Sequence, residues 1–321
     1  MRLNLPTLDE LAACENLLIA GMGGGFDLFC GLPVYFELRR LGRRVHLANL
    51  SFTALEHVKD AERLSDFVTG VRSDSRSVLL YCPELHLAHW LGRERGDVDA
   101  TVWCLHSERG GALPVTAGFR ALRDRLNLDG VLLIDGGIDS LSRGDEAEAG
   151  TILEDSYSLA AVNALIDIPL RLLACLGMGA EREVTHAHLL ENVAALTAAG
   201  AFRGACALTP EMESFREYER AVEYVHSRRG QDPSVINASV VSAVRGHFGD
   251  YHATEKTRRS RLWINPLMTL YWVFDLPAVA ARNLYLPELA NSASRLEALA
   301  ALLRVRERVG VRSTPTAIPL P

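Results

Sequence analysis

The stretch NLLIAGMGGGFDLFCGLPVYFELRRLG, residues 16–42, decides how the rest of the chain is read. It is a short apolar run, then a loop with four glycines and one carboxylate, then an amphipathic segment. That is the pattern of a strand, a ligand loop and a helix. Glycine permits positive φ and puts no side chain in the way of a ligand. Backbone N–H groups at a helix start attract anions. Gly21, Gly23, Gly24, Gly25 and Asp27 are therefore candidate ligand-binding positions. The loop is not a complete G-x-G-x-x-G, because Phe26 stands where the third glycine belongs. The acid expected about 20 residues on, to hold a ribose, is also missing. The next apolar run, HLANLSF (46–52), ends with Asn49 and Ser51 instead. This disfavours an ordinary NAD(P) site or methyltransferase site and makes Asn49 a ligand-binding candidate.

Working outward, apolar runs alternate with helical patterns. RRVHLANLSF (43–52) precedes TALEHVKDAERLSDFV (53–68), taken as a helix. SVLLYCPE (77–84), taken as a strand, precedes LHLAHWLGRERG (85–96). ATVWCLH (100–106), TAGFRALRDRLNLDG (116–130), VLLIDGG (131–137), LRLLACLGMG (170–179), THAHLLENVAALTAAG (185–200) and GACALTP (204–210) continue the alternation. Continuous apolar strands between helices predict an α/β fold with a doubly wound, mostly parallel, Rossmann-like sheet over residues 1–209. Ligands gather at the carboxyl ends of such strands. Those ends carry residues 21–27, 49–52, 82–84, His106, 135–139, 177–179 and 209–211. Beyond residue 209 the pattern turns helical. TPEMESFREYERAVEYVHSRRG (209–230) has Pro at its expected first helical position, and DPSVINASVVSAVRG (232–246) and SASRLEALAALLRVRERVG (292–310) follow. Residues 210–321 are read as a mainly helical portion packed on the sheet domain. GHFGDYHATEKT (246–257) is a polar loop, a candidate lid.

The acidic loop VLLIDGGIDSLSRGDEAEAGTILEDS (131–156) is the second unusual stretch. Carboxylates this close in sequence repel one another unless something positive sits among them. A divalent cation, Mg or Mn, answers that need with oxygen ligands. Hydroxyls of a ligand, or a carboxyl pair doing acid–base work, answer it too. Asp135 and Asp139, at a strand's end beside Gly136 and Gly137, are the catalytic candidates, with His106 as a further acid–base group. Gly136 and Gly137 join the ligand-binding set, and Asp145, Glu146, Glu154 and Asp155 are the metal candidates.

GMGGGFD near the start, with DGGIDSLSRGDE and ILEDS in the middle, resembles a family of uncharacterised bacterial and archaeal proteins, domain of unknown function eleven-fifty-two. The similarity extends over most of the chain and is weaker after residue 210. It implies an α/β fold and groups the glycine loop with the acidic residues as one constellation. It implies no activity.

Composition bounds the function. The net charge of −6 gives no footprint for nucleic acid. The only lysines, Lys59 and Lys256, lie in no GxxxxGK[ST] pattern, which speaks against a Walker-type NTPase. The six cysteines form no C-x-x-C pair and are expected as buried thiols in a reducing compartment, with Cys82 and Cys104 held as nucleophile candidates. No apolar stretch matches a signal peptide or a membrane span, so a cytoplasmic protein with no membrane or nucleic-acid partner is expected. A homo-oligomer stays open. The expected function is an enzyme, hydrolase or lyase, acting on a small anionic or nucleotide-like metabolite. The competing readings are a non-catalytic metabolite-binding protein and an oxidoreductase with an atypical NAD(P) mode.

Overall fold

The computed structural model describes residues 6–107, 110–147, 152–180 and 185–313. The strands are β1 (Asn16–Gly21), β2 (Arg44–Ser51), β3 (Val58–Lys59), β4 (Glu62–Ser65), β5 (Val68–Val71), β6 (Arg76–Ser77), β7 (Val102–His106), β8 (Gly130–Gly136), β9 (Leu170–Leu176), β10 (Phe202–Ala207) and β11 (Leu270–Asp275). The helices are α1 (Pro6–Ala13), α2 (Asp27–Cys30), α3 (Leu32–Arg40), α4 (Pro83–Arg93), α5 (Ala112–Leu126), α6 (Ile152–Asn163), α7 (His186–Ala198), α8 (Glu213–His226), α9 (Val235–Val244), α10 (Leu276–Arg282), α11 (Leu286–Leu289) and α12 (Arg295–Val309).

Nine strands form one sheet in the order β10-β11-β9-β8-β1-β2-β7-β5-β4. The inner five, β9-β8-β1-β2-β7, are parallel. Their side chains alternate between two cores, as a period of two requires. Leu17 and Ile19 pack with Phe29, Phe36 and Phe215 on one face. Leu18 and Ala20 pack with Phe119, Tyr157 and Leu196 on the other. Helices cover both faces, which is why β1 and β8 read as unbroken apolar runs.

The chain leaves β1 toward β2 and β7 on one side, then returns to lay β8 and β9 on the other. The direction of winding reverses between β1 and β8. At such a reversal the two outgoing loops diverge and leave a crevice at the strands' carboxyl ends. Register aligns those ends: Gly21 pairs with Asn49 and Ile134, and Asp135 with Cys175.

The expectation of a mostly parallel sheet is corrected to a mixed one. β5 runs antiparallel to β7 and β4 to β5, while β11 runs antiparallel to both β9 and β10. Residues 53–68 are not a helix. They hold a short 3-10 turn at Leu55–His57, then β3, β4 and the first residue of β5. Asp60 lies at φ 57, a left-handed conformation that no helix interior accommodates. Residues 78–82 are not a strand either, and Val78 and Leu80 are exposed, because β5 takes the place beside β7. α8 starts at Glu213, so Pro210 precedes it. The apolar segment after residue 262 supplies β11 as well as α10, and the C-terminal region is otherwise helical.

Candidate functional site

The glycine loop follows β1 at the carboxyl end of the sheet, beside the loop after β8. The Met22 N–H donates to the Ile134 carbonyl at 3.0 Å and ties the loop to β8. Gly24 and Gly25 have φ of 95° and 60°, which favours glycine at both. The Gly23 N–H donates to Asp27 Oδ2 at 2.7 Å. A Cβ on Gly23 would lie 2.5 Å from Asp155 Oδ1 and 2.7 Å from that same Asp27 oxygen. One on Gly136 would lie 2.8 Å from Asp27 Oδ1. The bare α-carbons of Gly23 and Gly136 thus face the protein's own carboxylates, while those of Gly24 and Gly25 face Phe52 and Tyr81. α2 has only four residues, and Asp27 begins it. The amide that an anion would use at Gly23 already serves Asp27.

Asp135, Asp139 and Asp155 come from the end of β8, the turn after it and the first turn of α6. All three are buried, and one carboxylate oxygen from each lies within 4.8 Å of the others. At that separation two full negative charges repel by about 3–4 kcal/mol at an effective dielectric near 20. Three such pairs rival the ~5–15 kcal/mol that stabilises a whole domain. Such repulsion is offset by protons, by neighbouring positive groups or by a cation. Burial, aided by the Asp135 charge, holds Asp27 well above the usual carboxylate range, against the opposing N–H of Gly23. Burial also raises Asp135, although the Ser140 hydroxyl and N–H oppose it; that N–H donates to Asp135 Oδ2 at 3.1 Å.

Asp139 and Asp155 line a small cleft with Ser140, Ser142, Ser156, Leu159 and Asn283. Among the described residues, the buried hydroxyls of Ser142 and Ser156 have no hydrogen-bond partner. Buried hydroxyls ordinarily find one. A cleft walled by carboxylates and unsatisfied hydroxyls, with no cationic side chain among its described lining, matches the all-oxygen preference of Mg²⁺, Mn²⁺ or Ca²⁺.

The structure thus brings Gly23, Asp27, Asp135, Gly136, Asp139 and Asp155 together. Gly21 packs against Asn49, whose Nδ2 donates to Gly25 O at 2.9 Å and Glu84 Oε1 at 2.8 Å. Gly137, at φ 144°, donates its N–H to Leu176 O. His106 ends β7 and meets Thr69 Oγ1 at 3.2 Å, separated from β1 by β2. Asp145, Glu146 and Glu154 fall outside the trio and face arginines. Arg312 reaches Asp145 at 3.0 Å and Glu146 at 3.5 Å, and Arg295 reaches Glu154 at 2.5 Å. Burial pushes Glu146 up, but the Asn192 amide and the N–H groups of Arg143 and Gly144 outweigh it and hold it below the usual range. Burial, with Glu84 nearby, pushes the Cys82 thiol up to about 12 and raises Cys104 as well, the reverse of what a nucleophilic thiolate needs. The polar loop 246–257 is anchored by a Gly249–Ile264 bridge and a His247–Tyr251 stack at 3.8 Å.

Sequence reasoning placed Glu84 among the strand-end positions but gave it no role. It is fully buried and raised by that burial, and it braces the glycine loop through Asn49. Its signal was its place among the segments assigned to the ligand end of the sheet. Ser142 and Ser156 carried no signal, since serines in an acidic loop look like solvated ones.

These features define an α/β protein with a buried acidic site where its winding reverses. The family model described as "Protein of unknown function (DUF1152)" matches residues 18–308, and the chain belongs to that uncharacterised bacterial and archaeal family. No curated protein and no solved structure matches it.

Proposed function

We propose that the protein is a divalent-cation-dependent enzyme acting on a small anionic or nucleotide-like metabolite, with hydrolase or lyase chemistry. The observation that carries this reading is the convergence of three buried carboxylates on one 4.8 Å locus beside unsatisfied hydroxyls. Asp139 and Asp155, on the cleft wall, hold the cation, and Asp135 behind them supplies a third oxygen. The strand order β7-β2-β1-β8-β9 supports a Rossmann-like, doubly wound interpretation, in which ligands bind where the winding reverses. In a site this rich in negative charge, an anionic substrate binds through the cation. A cation held by Asp139, Asp155 and Asp135 would lower the pKa of a bound water toward neutral and so make a nucleophile available.

The test is incubation with a panel of nucleotides and sugar phosphates with Mn²⁺, read by mass spectrometry. One class of compound is consumed. Consumption stops with EDTA and in Asp135→Asn, which still folds, with a thermal melt no lower than that of the wild type. A compound that raises the melting temperature but is recovered unaltered makes this a binding protein. No cation dependence in either readout defeats the proposal.

A further inference from the structure

A cleft of about 250 Å³ opens at the other end of the sheet, where β2 and β7 begin. Arg44 starts β2, and Asn49, which braces the glycine loop, lies five residues on, about 16 Å along the strand. The cleft is smaller than the ~300–1,000 Å³ of sites for drug-sized ligands, so its occupant is small. Arg39, Arg44 and Arg125 line it, with the half-buried His46 in its wall. Glu62, Asp97 and Asp99 line it too, but their charges are spent elsewhere. Arg125 reaches Glu62 at 3.2 Å. Asp97 accepts the Tyr35 hydroxyl at 3.0 Å and faces Arg39 at 3.5 Å and Arg95 at 3.7 Å. Asp99 is exposed, where solvent screens it.

Arg39 and Arg125 have a structural reason to be here, since each sits in the last turn of its helix, where the dipole favours a cation. Arg44 has no such reason. It begins a strand, donates to Asn16 Oδ1 at 3.0 Å and, among the described residues, pairs with no carboxylate. His46 Nε2 is buried and, among the described residues, has no hydrogen-bond partner. Burial, and then the charges of Arg44, Arg39 and Arg125, push the His46 imidazole down to about 4, so it is neutral. All three charges act on it in one direction, which makes the potential at this wall positive.

We propose that this cleft is a second ligand site, which takes a small phosphate ester or dicarboxylate. Its oxyanion lies on Arg44 beside His46, and its carbon part lies against the half-buried Ala100 and Leu126. A guanidinium binds such oxyanions through paired N–H donors, and Arg44 keeps donors beyond its bond to Asn16. A cationic ligand would meet three arginines, and an uncharged one would leave Arg44 without a counter-charge.

Isothermal titration calorimetry of the full chain with glycerol 3-phosphate, inorganic phosphate and malonate tests this. EDTA is present, so that no cation at the acidic site can recruit an anion and the result is independent of the function proposed for that site. Glycerol 3-phosphate or malonate binds the wild type one to one, with a dissociation constant of about 1 mM or tighter. Neutral glycerol does not bind. If inorganic phosphate binds as well as glycerol 3-phosphate, the phosphate group alone carries recognition; if it binds more weakly, the carbon part contributes. Arg44→Glu weakens binding at least about tenfold. Arg44 is exposed, so that variant is expected to fold, and an unchanged thermal melt checks it. His46→Phe, which keeps a ring and removes both nitrogens, weakens binding as well. The same charge change at the exposed Arg261, and Asp139→Asn in the acidic site, leave it unchanged. No binding of glycerol 3-phosphate or malonate by the wild type overturns the proposal. So does binding that survives Arg44→Glu, or that Arg261→Glu weakens equally, since the anion then answers to overall charge and not to this cleft.

Discussion

The Asp27 carboxylate lies against Gly136: a Cβ there would stand 2.8 Å from Asp27 Oδ1, inside any real contact. The loop after β1 and the loop after β8 are fitted to each other through this pair. Gly136→Ala therefore displaces Asp27 and costs about 1–3 kcal/mol of stability, as overpacking does. Gly23→Ala has a similar cost, since its new methyl would meet two carboxylates. Urea denaturation of both variants measures it. Substitutions within a few tenths of wild type would mean that the two loops are not fitted.

Asp139→Asn is predicted to stabilise the cation-free protein by about 1–3 kcal/mol at neutral pH, because it removes one of three mutually repelling charges. It also abolishes the rise in melting temperature that Mn²⁺ gives the wild type. Asp27 and Asp135 have raised pKa values in the fold. Their contribution to stability is therefore fully present in acid and is lost as the pH rises through those values. The advantage of Asp139→Asn shrinks accordingly on acidification. Thermal melts with and without EDTA across pH 5–8 check both parts.

Much of this was legible in the chain. The apolar runs at residues 16–21 and 130–136 and the glycines between strand and helix marked the crevice and two of its walls. The antiparallel edges were not legible. β4 and β5 hide in a segment whose apolar spacing mimics a helix, and only the pairing of β5 with β7 decides it. Nor could sequence separate Asp155, which enters the trio, from its neighbour Glu154, which faces Arg295. On a helix the two side chains point about 100° apart, and only the docking of α6 selects one. The purpose of the glycines was also hidden. Sequence suggested room for a ligand, whereas Asp27 and Asp155 press on Gly23.

His226 gives a pH test away from the acidic site. Its Nε2 accepts the N–H of Ser234, the N-cap of α9, which only an imidazole neutral at that nitrogen does. Burial, more than nearby charge, lowers its pKa from 6.5 to about 4. The stability it contributes is present above pH 6.5 and is lost as the pH falls toward 4, where the unfolded chain takes a proton the folded one refuses. The wild type should lose stability relative to His226→Gln over that window. Parallel curves for the two proteins would contradict it.

The thiols offer a simpler check. Five cysteines are buried and Cys206 is half-buried. Iodoacetamide should modify the native protein slowly and at Cys206 first, and Cys82→Ser should leave the reaction intact. Rapid labelling of Cys82 would refute the assignment of a buried, protonated thiol.

Mn²⁺ binding followed by electron paramagnetic resonance tests the central claim most directly. One Mn²⁺ per chain is expected to bind the wild type in the micromolar range. Affinity should fall at least about tenfold in Asp139→Asn and Asp155→Asn, a loss of ~1.4 kcal/mol or more, and stay unchanged in Glu154→Gln. No bound Mn²⁺ in the wild type, or equal binding in all four proteins, would contradict the account.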